Sequence, residues 1–278
     1  MRELDLSEES NVLYLKTYIM EKIREKMEAR KIFPIRMTKP DWMVEDEEEE
    51  ESVANLGHYH NYVEPPYPKI PVIHKKLLYD AKTVEEGVRL LAKSIVNTED
   101  RLLFSGETLG WKAFGIEGLS TATGRHTMPA TGTWPANLLV DVLEAKRLLE
   151  HGKPCVLIAS PHLEPALETT YWYPVNDNKE PLTLRNYLLK ENIINGIIIT
   201  ENLYCDDGGI DSVLLVIPGE DGFYALQGSP IEVKIWQERG EWWITVHETI
   251  VPVIKNLESI VEIRVVSYTP HTLYPPTL

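Results

Sequence analysis

A break in pattern divides this chain. Residues 98–120, TEDRLLFSGETLGWKAFGIEGLS, set a charged helix end (Glu99, Asp100, Arg101) and an apolar trio (Leu102, Leu103, Phe104) ahead of Ser105, Gly106, Gly110, Gly115 and Gly118. Glycine accepts positive φ at little steric cost, so such a stretch ends regular structure and joins two lobes. Before it the chain reads as a long amphipathic helix. After it, helices and buried strands alternate to about residue 218, and a run of strands closes the chain. The glycines lack a phosphate-cradling spacing and no nucleophile stands beside a base, so this is a junction rather than a catalytic loop.

Upstream, Ser7 is placed to cap a helix, with Glu8 and Glu9 at its N-terminal dipole. Val12, Leu15, Ile19, Ile23 and Met27 follow at spacings of three and four and form one apolar stripe. The stripe must bury against its own domain, a neighbouring subunit or a docked peptide. Residues 31–39 read as an extended arm in which Pro34 bars helix. Residues 45–51, EDEEEEE, form a self-repelling solvated loop, or a cation-attracting patch if many copies face one enclosed space. His58 and His60 share one strand face, but no third ligand is near, and no metal site is assigned. Pro65, Pro66, Pro68 and Pro71 then keep the chain extended. With Tyr59, Tyr62 and Tyr67 this arm has little core of its own, so it is loose or laid across a partner. Thr83 and Glu86 spell a capping box, and Val84, Val88, Leu91 and Ile95 give the stripe of the helix that runs to the junction.

Downstream, Thr133 is placed to cap and Pro135 to take the first helical position. Leu138, Leu139, Val142, Ala145 and Leu149 form that helix's buried face. Residues 155–159, CVLIA, read as a strand covered on both faces. Ser160 opens a further helix to about residue 171 and lacks the G-x-S-x-G elbow of a nucleophile. A short helix over 183–189 and a strand over 196–200 complete a small α/β lobe at about 129–217. Strands are expected over 212–217, 223–226, 231–237, 242–250 and 259–266, with hairpin turns at Asp221 with Gly222 and at Arg239 with Gly240. Ile231, Val233 and Ile235 alternate with Glu232, Lys234 and Trp236, as in antiparallel sheet with one buried face. The tail from 269 onward, with three prolines, is expected to lie extended.

Composition narrows the function. A net charge of -15 argues against a surface that coats nucleic acid. The longest apolar runs fall short of a membrane span, so no membrane partner is expected. The acidic start MRELDLSEES lacks the apolar core of a signal peptide, and the two cysteines, Cys155 and Cys205, suggest a reducing interior. The expectation is a soluble, cytoplasmic protein. The eight histidines are scattered, and no Ser/His/Asp cluster, zinc motif or nucleotide motif occurs. No catalytic residue, metal or cofactor is therefore assigned. The residues alone give an α+β protein with extended arms that self-associates.

The order of parts goes further. EARKIFPI (28–35) is similar to the "GRRIF"-type segment of the encapsulin shell proteins, relatives of the Hong Kong 97-type phage major capsid proteins. VEEGVRLLAKSIVNTEDRLLFSG (84–106) resembles that family's spine helix with its "E-D-x-x-[IF]-x-G" run, and GIEGL (115–119) its "G-x-x-G-[IL]". Residues 153–166 resemble the "GPYxLV" strand and following helix, and HETI (247–250) stands in the slot of the "TET" strand. The resemblance spans about residues 7–266. The acidic run, the proline-rich arm and the tail depart from it.

This resemblance implies an α+β Hong Kong 97-type capsid fold. Its parts would be an N-terminal helix and arm (1–54), an extended loop (55–80) that clamps a neighbour, a peripheral domain (81–128 and 218–266), an axial domain (129–217) and a surface tail (267–278). It implies a shell of about 60 copies by closed symmetric assembly. The shell would be a cytoplasmic nanocompartment holding a cargo protein with a C-terminal loading peptide, and iron storage through that cargo is one implied use. The peptide would dock near Leu15, Ile19 and Ile23. Tyr59, Tyr62 and Tyr67 would lie in the inter-subunit arm. Lys190, Glu191, Asn192 and Asn195, in LKENIING, would ring a five-fold pore unless residues 173–179 do so. The alternative is a viral or proviral major capsid protein of the same fold, with nucleic acid as content.

Overall fold

The computed structural model describes residues 6–37, 81–106, 116–132, 134–149, 153–171, 182–203, 211–219, 222–238 and 241–265. The acidic run, His58, His60, the tyrosine- and proline-rich arm, Thr133, residues 173–179, Arg239, Gly240, Cys205 and the tail lie outside the described residues.

In chain order the elements are helix α1 (Glu9–Arg24), strand β1 (Ile35–Met37), helix α2 (Ala81–Ser105), strand β2 (His126–Pro129), helix α3 (Leu138–Leu148), strand β3 (Val156–Ala159), helix α4 (Glu164–Leu167), strands β4 (Thr170–Tyr171) and β5 (Leu182–Thr183), helix α5 (Leu184–Lys190), and strands β6 (Gly196–Ile199), β7 (Asp211–Val216), β8 (Phe223–Glu238), β9 (Glu241–Ile254) and β10 (Ile260–Val265). They fall into two compact units, and the chain passes between them after residues 31, 34, 116, 223 and 253.

The first unit holds α1, α2 and a three-stranded sheet ordered β1-β8-β9. Leu15, Ile19 and Ile23 of α1 pack with Val88, Leu91, Ala92, Ile95 and Val96 of α2 and with Val233, Ile244 and Val246 of the sheet. Two amphipathic helices thus bury their stripes against one another and a sheet face, as the spacing predicts. The helix starts differ from the sequence expectation. The N-cap position of α1 is Glu8, whose extended backbone offers its carbonyl to the amides of Asn11 and Val12 without a side-chain cap bond. Helix α2 begins at Ala81, so Thr83 lies inside it and not at its cap. At the other end α2 runs through the apolar trio, and Leu102, Leu103 and Phe104 are buried. Gly106 then takes φ 67° and donates its N–H to the Leu102 carbonyl at 2.9 Å. That left-handed step is the usual glycine exit from a helix. Strand β1 runs parallel to β8, with Ile35 opposite Ala225 and Met37 opposite Gln227.

The second unit is built on a five-stranded sheet ordered β2-β10-β7-β3-β6. Strand β7 runs antiparallel to both β10 and β3, whereas β3 pairs parallel to β6 and β10 parallel to β2. The parallel β3–β6 pair needs a crossover, and α4, the β4–β5 pair and α5 supply it. Helix α3 packs across β10 and β7 with Leu138, Val142 and Ala145 fully buried. Cys155, Leu157, Ile158 and Ala159 are also buried, the double coverage that the run CVLIA predicts. Phe33, from the EARKIFPI segment, belongs to this unit and packs on Phe223 with ring centroids 4.9 Å apart.

Several local expectations differ from the observed structure. Helix α3 starts at Leu138 after Asn137; Pro135 sits in the preceding turn, following a cis peptide bond from Trp134. The helix after Ser160 ends at Leu167, because the chain turns into strand β4. Ser160 makes no cap bond; its hydroxyl donates to Asp211 Oδ1 at 3.4 Å. The turn at Gly222 joins no hairpin of one sheet, since β7 and β8 belong to different sheets. Gly222 is needed for close approach: an added Cβ would meet Ser259 Oγ at 2.9 Å and the Ile217 carbonyl at 3.0 Å. The last strand, β10, likewise pairs with β2 and β7 rather than extending the β8–β9 sheet. β8 and β9 are sheet neighbours, as the hairpin reading predicts.

Candidate functional site: a buried ion network and two exposed surfaces

Helix α2 carries an apolar stripe through Val88, Leu91, Ile95 and Val96, all buried. One turn further on the same rows come Glu99 and Asp100, and they are buried too, each 2% exposed. Charged side chains leave water only when paired or hydrogen-bonded. Asp100 supplies the first set of partners. Its Oδ1 accepts the Ala29 N–H at 2.9 Å and its Oδ2 the Glu28 N–H at 3.3 Å. It thereby fastens the 3₁₀ turn Ala29–Lys31 onto the helix.

That turn presents Arg30. Its Nε donates to Glu99 Oε1 at 2.7 Å and its Nη2 to Glu99 Oε2 at 3.2 Å, a forked pair. The same Nη2 donates to Glu248 Oε2 on β9 at 2.6 Å. Gln227 on β8 donates from Nε2 to that Oε2 at 3.1 Å. Glu248 Oε1 is buried without a hydrogen-bond partner among the described residues. One guanidinium therefore serves two carboxylates, with a third, Asp100, beside them.

The electrostatics follow from this crowding. Burial pushes the Asp100 carboxyl up to about 7; neighbouring Glu99 adds to the rise, and the two amide donors oppose it. Burial also holds Glu248 well above the ordinary glutamate range, reinforced by the charge of Glu99 and a hydrogen bond with it, against Arg30 and Gln227. Burial disfavours the Arg30 charge, yet its bonds to Glu99 and Glu248 prevail and raise its pKa. The network positions a turn. It offers no nucleophile, and among the described residues no group of three or more His, Cys, Asp or Glu is placed to hold a metal ion.

Leu15, Ile19 and Ile23, the expected cargo-docking residues, have no solvent exposure and are covered by their own unit. Of the alternatives open in the sequence, packing on the parent domain is the one observed. The outward face of α1 instead presents Leu13 and Tyr14, 65% and 51% exposed, with Tyr14 stacked on Tyr18.

Lys190, Glu191, Asn192 and Asn195 are brought together on one exposed turn after α5. Asn192 adopts φ 53°, which asparagine tolerates better than most residues. The turn is anchored from two sides. Lys146 of α3 donates to the Ile193 carbonyl at 2.5 Å, and Asn195 Oδ1 accepts the Cys155 N–H at 3.1 Å. Ile194 is buried and belongs to the core, while Ile193 packs against it half-buried. Beneath the turn the Cys155 thiol is buried and its pKa is raised by that burial. Tyr59, Tyr62 and Tyr67 lie outside the described residues.

Sequence reasoning missed Arg30 and Glu248 and read Glu99 and Asp100 only as a charged helix end. A signal was present. Glu99 and Asp100 follow Ile95 and Val96 by four residues, and Glu248 shares the parity of Ile244, Val246 and Ile250 on β9, so each stands in register with a buried row.

No family model matches the chain, and no curated protein does. Solved structures do resemble it. A virus-like particle protein from Pyrococcus furiosus superposes with a TM-score of 0.57 at 17% identity, over 90% of this chain and 97% of that one. A phage-related protein from Bordetella bronchiseptica gives a TM-score of 0.52 at 13% identity, over 95% and 97%. An encapsulin complex from Synechococcus elongatus gives 0.44 at 14% identity, over 74% and 75%. The chain has the Hong Kong 97-type capsid fold, as the order of its parts predicts.

Proposed function

We propose that this chain is the subunit of a self-assembling icosahedral shell, a nanocompartment that encloses a cargo protein. The observation that carries the reading is the near end-to-end likeness to the virus-like particle protein, 90% of this chain against 97% of that one. In this reading the first unit serves as the peripheral domain and the second as the axial domain.

The turn with Lys190, Glu191, Asn192 and Asn195 borders the five-fold opening. Its exposure and its double anchoring suit a pore rim, and its opposite charges nearly cancel, leaving amide and backbone groups to line the opening. The cargo peptide docks on the outer face of α1 at Leu13 and Tyr14, because Leu15, Ile19 and Ile23 behind them are core. The compartment works in the cytoplasm and takes its chemistry from its cargo.

Electron microscopy of the purified protein, with light scattering at neutral pH, tests the reading. Closed particles of about 60 subunits are expected. A monodisperse monomer or dimer overturns it. Protein cargo inside the particles distinguishes a compartment from a viral capsid, which would hold nuclease-protected nucleic acid.

A further inference from the structure

The network at the end of α2 has too few cations for its carboxylates. Among the described residues, Arg30 is the one cation hydrogen-bonded to Glu99 and Glu248. Lys31, in the same turn, is engaged with Glu28 at the surface. From β8 the group facing Glu248 is Gln227, a neutral donor to Oε2. From α2 come Glu99 and Asp100, and from the turn come Arg30 and the amides of Glu28 and Ala29.

Because the Nη2 of Arg30 bonds an oxygen of Glu99 and an oxygen of Glu248, the two carboxylates are drawn onto one nitrogen. Glu248 Oε1 is then left buried and without a hydrogen-bond partner among the described residues. A buried acceptor without a donor is costly, and so are two ionised carboxylates around one guanidinium. A single proton removes both faults. Placed on Glu248 Oε1 it turns an orphan acceptor into a donor toward Glu99, and leaves one negative charge opposite one positive charge.

We infer that Glu248 keeps a proton on the oxygen turned toward Glu99, and that this proton operates a latch fastening the turn Ala29–Lys31 to the end of α2. The latch is closed when the proton is present. On the alkaline side the proton leaves, the two carboxylates repel across Arg30, and the turn loosens. The pKa of Glu248 lies above its ordinary value of 4.5 in the folded chain. Its stabilising contribution is therefore complete below that ordinary value and is lost as pH rises through the folded value. Asp100, which holds the backbone of the same turn, acts in the same direction over a range that ends at about 7. The inference does not depend on the shell reading.

The test is infrared spectroscopy of the intact protein at about pH 8, where Asp100 is mostly ionised and an ordinary glutamate fully so. A protonated-carboxyl C=O band is expected in the wild type, retained in Asp100→Asn and lost in Glu248→Gln, whose amide reproduces the donor toward Glu99. Hydrogen exchange gives the second readout. The Ala29 amide should open about tenfold faster on the alkaline side in the wild type, beyond the intrinsic pH effect, and not in Glu248→Gln. Absence of the band in the wild type overturns the inference, as does a band that survives Glu248→Gln. If Glu248→Gln does not fold, Glu99→Gln replaces it and should remove the same band. If neither folds, the band in wild type and Asp100→Asn decides alone.

Discussion

Asp141 in the second unit and Glu248 in the first are both carboxylates withdrawn from solvent, and they are held in opposite ways. Asp141, fully buried, accepts the Thr131 N–H at 3.0 Å, the Thr131 hydroxyl, and the Trp134 indole N–H at 2.7 Å. Every partner is a neutral donor within ten residues, so the group ties down one local turn at the start of α3. Glu248 faces a guanidinium, an amide and a neighbouring carboxylate, each from a different stretch of chain, and keeps one oxygen without a hydrogen-bond partner among the described residues. A satisfied local site specifies a loop. A long-range site crowded with like charge ties loop, helix and sheet together and makes the tie depend on protonation.

The largest effect that separates the two sites is expected from Arg30→Met. It strands Glu99 and Glu248 without their cation and should cost about 3–5 kcal/mol near neutral pH, by analogy with other broken buried pairs. Part of that loss should return on acidification, when the stranded carboxylates take up protons. Denaturant unfolding at two pH values measures both. Asp141→Ala should cost about 2–3 kcal/mol, since it leaves the Trp134 and Thr131 donors unmet. Exchange at the Thr131 amide should rise while the Ala29 amide stays protected. If Ala29 also opens, the two sites are not independent.

Asp100→Asn sharpens the pH side of the comparison. The wild-type carboxyl binds its proton more tightly folded than unfolded, so its contribution is full below about 3.8 and is lost as pH rises to about 7. The variant should flatten the wild-type decline across that window by up to about 1.4 kcal/mol per pH unit. The smallest effect belongs to Leu13→Ser on the exposed face of α1, within about 0.5 kcal/mol on unfolding. It should nonetheless weaken cargo retention if that face is the docking surface. Ile19→Asp would not serve, because Ile19 is core and the unit itself would unfold.

Much of the architecture was legible in local pattern. The α1 and α2 stripes, the α3 face Leu138, Leu139, Val142, Ala145 and Leu149, the strand CVLIA and the alternation along β8 all stand where periodicity puts them. They were legible because burial on one face imposes its period on the sequence. The order of these segments also pointed to the capsid fold, and the structural likenesses agree with it. The pore candidates Lys190, Glu191, Asn192 and Asn195 were legible as one turn, because they are contiguous.

The rest depended on contacts far apart in the chain. Nothing near residue 260 says that β10 joins β2 and β7, because a period-two apolar strand fits either sheet. The caps at Ser7, Thr83 and Ser160 failed for a related reason: a capping residue is only an offer, and tertiary packing sets where the helix starts. The network shows the limit most plainly. Sequence supplied the buried register of Glu99, Asp100 and Glu248, but a charge in a buried row is tolerable only if its partner arrives. Arg30 stands 69 residues from Glu99 and 218 from Glu248. Only the folded chain brings one guanidinium to both, since Coulomb pairing acts through distance in space and leaves no period along the chain.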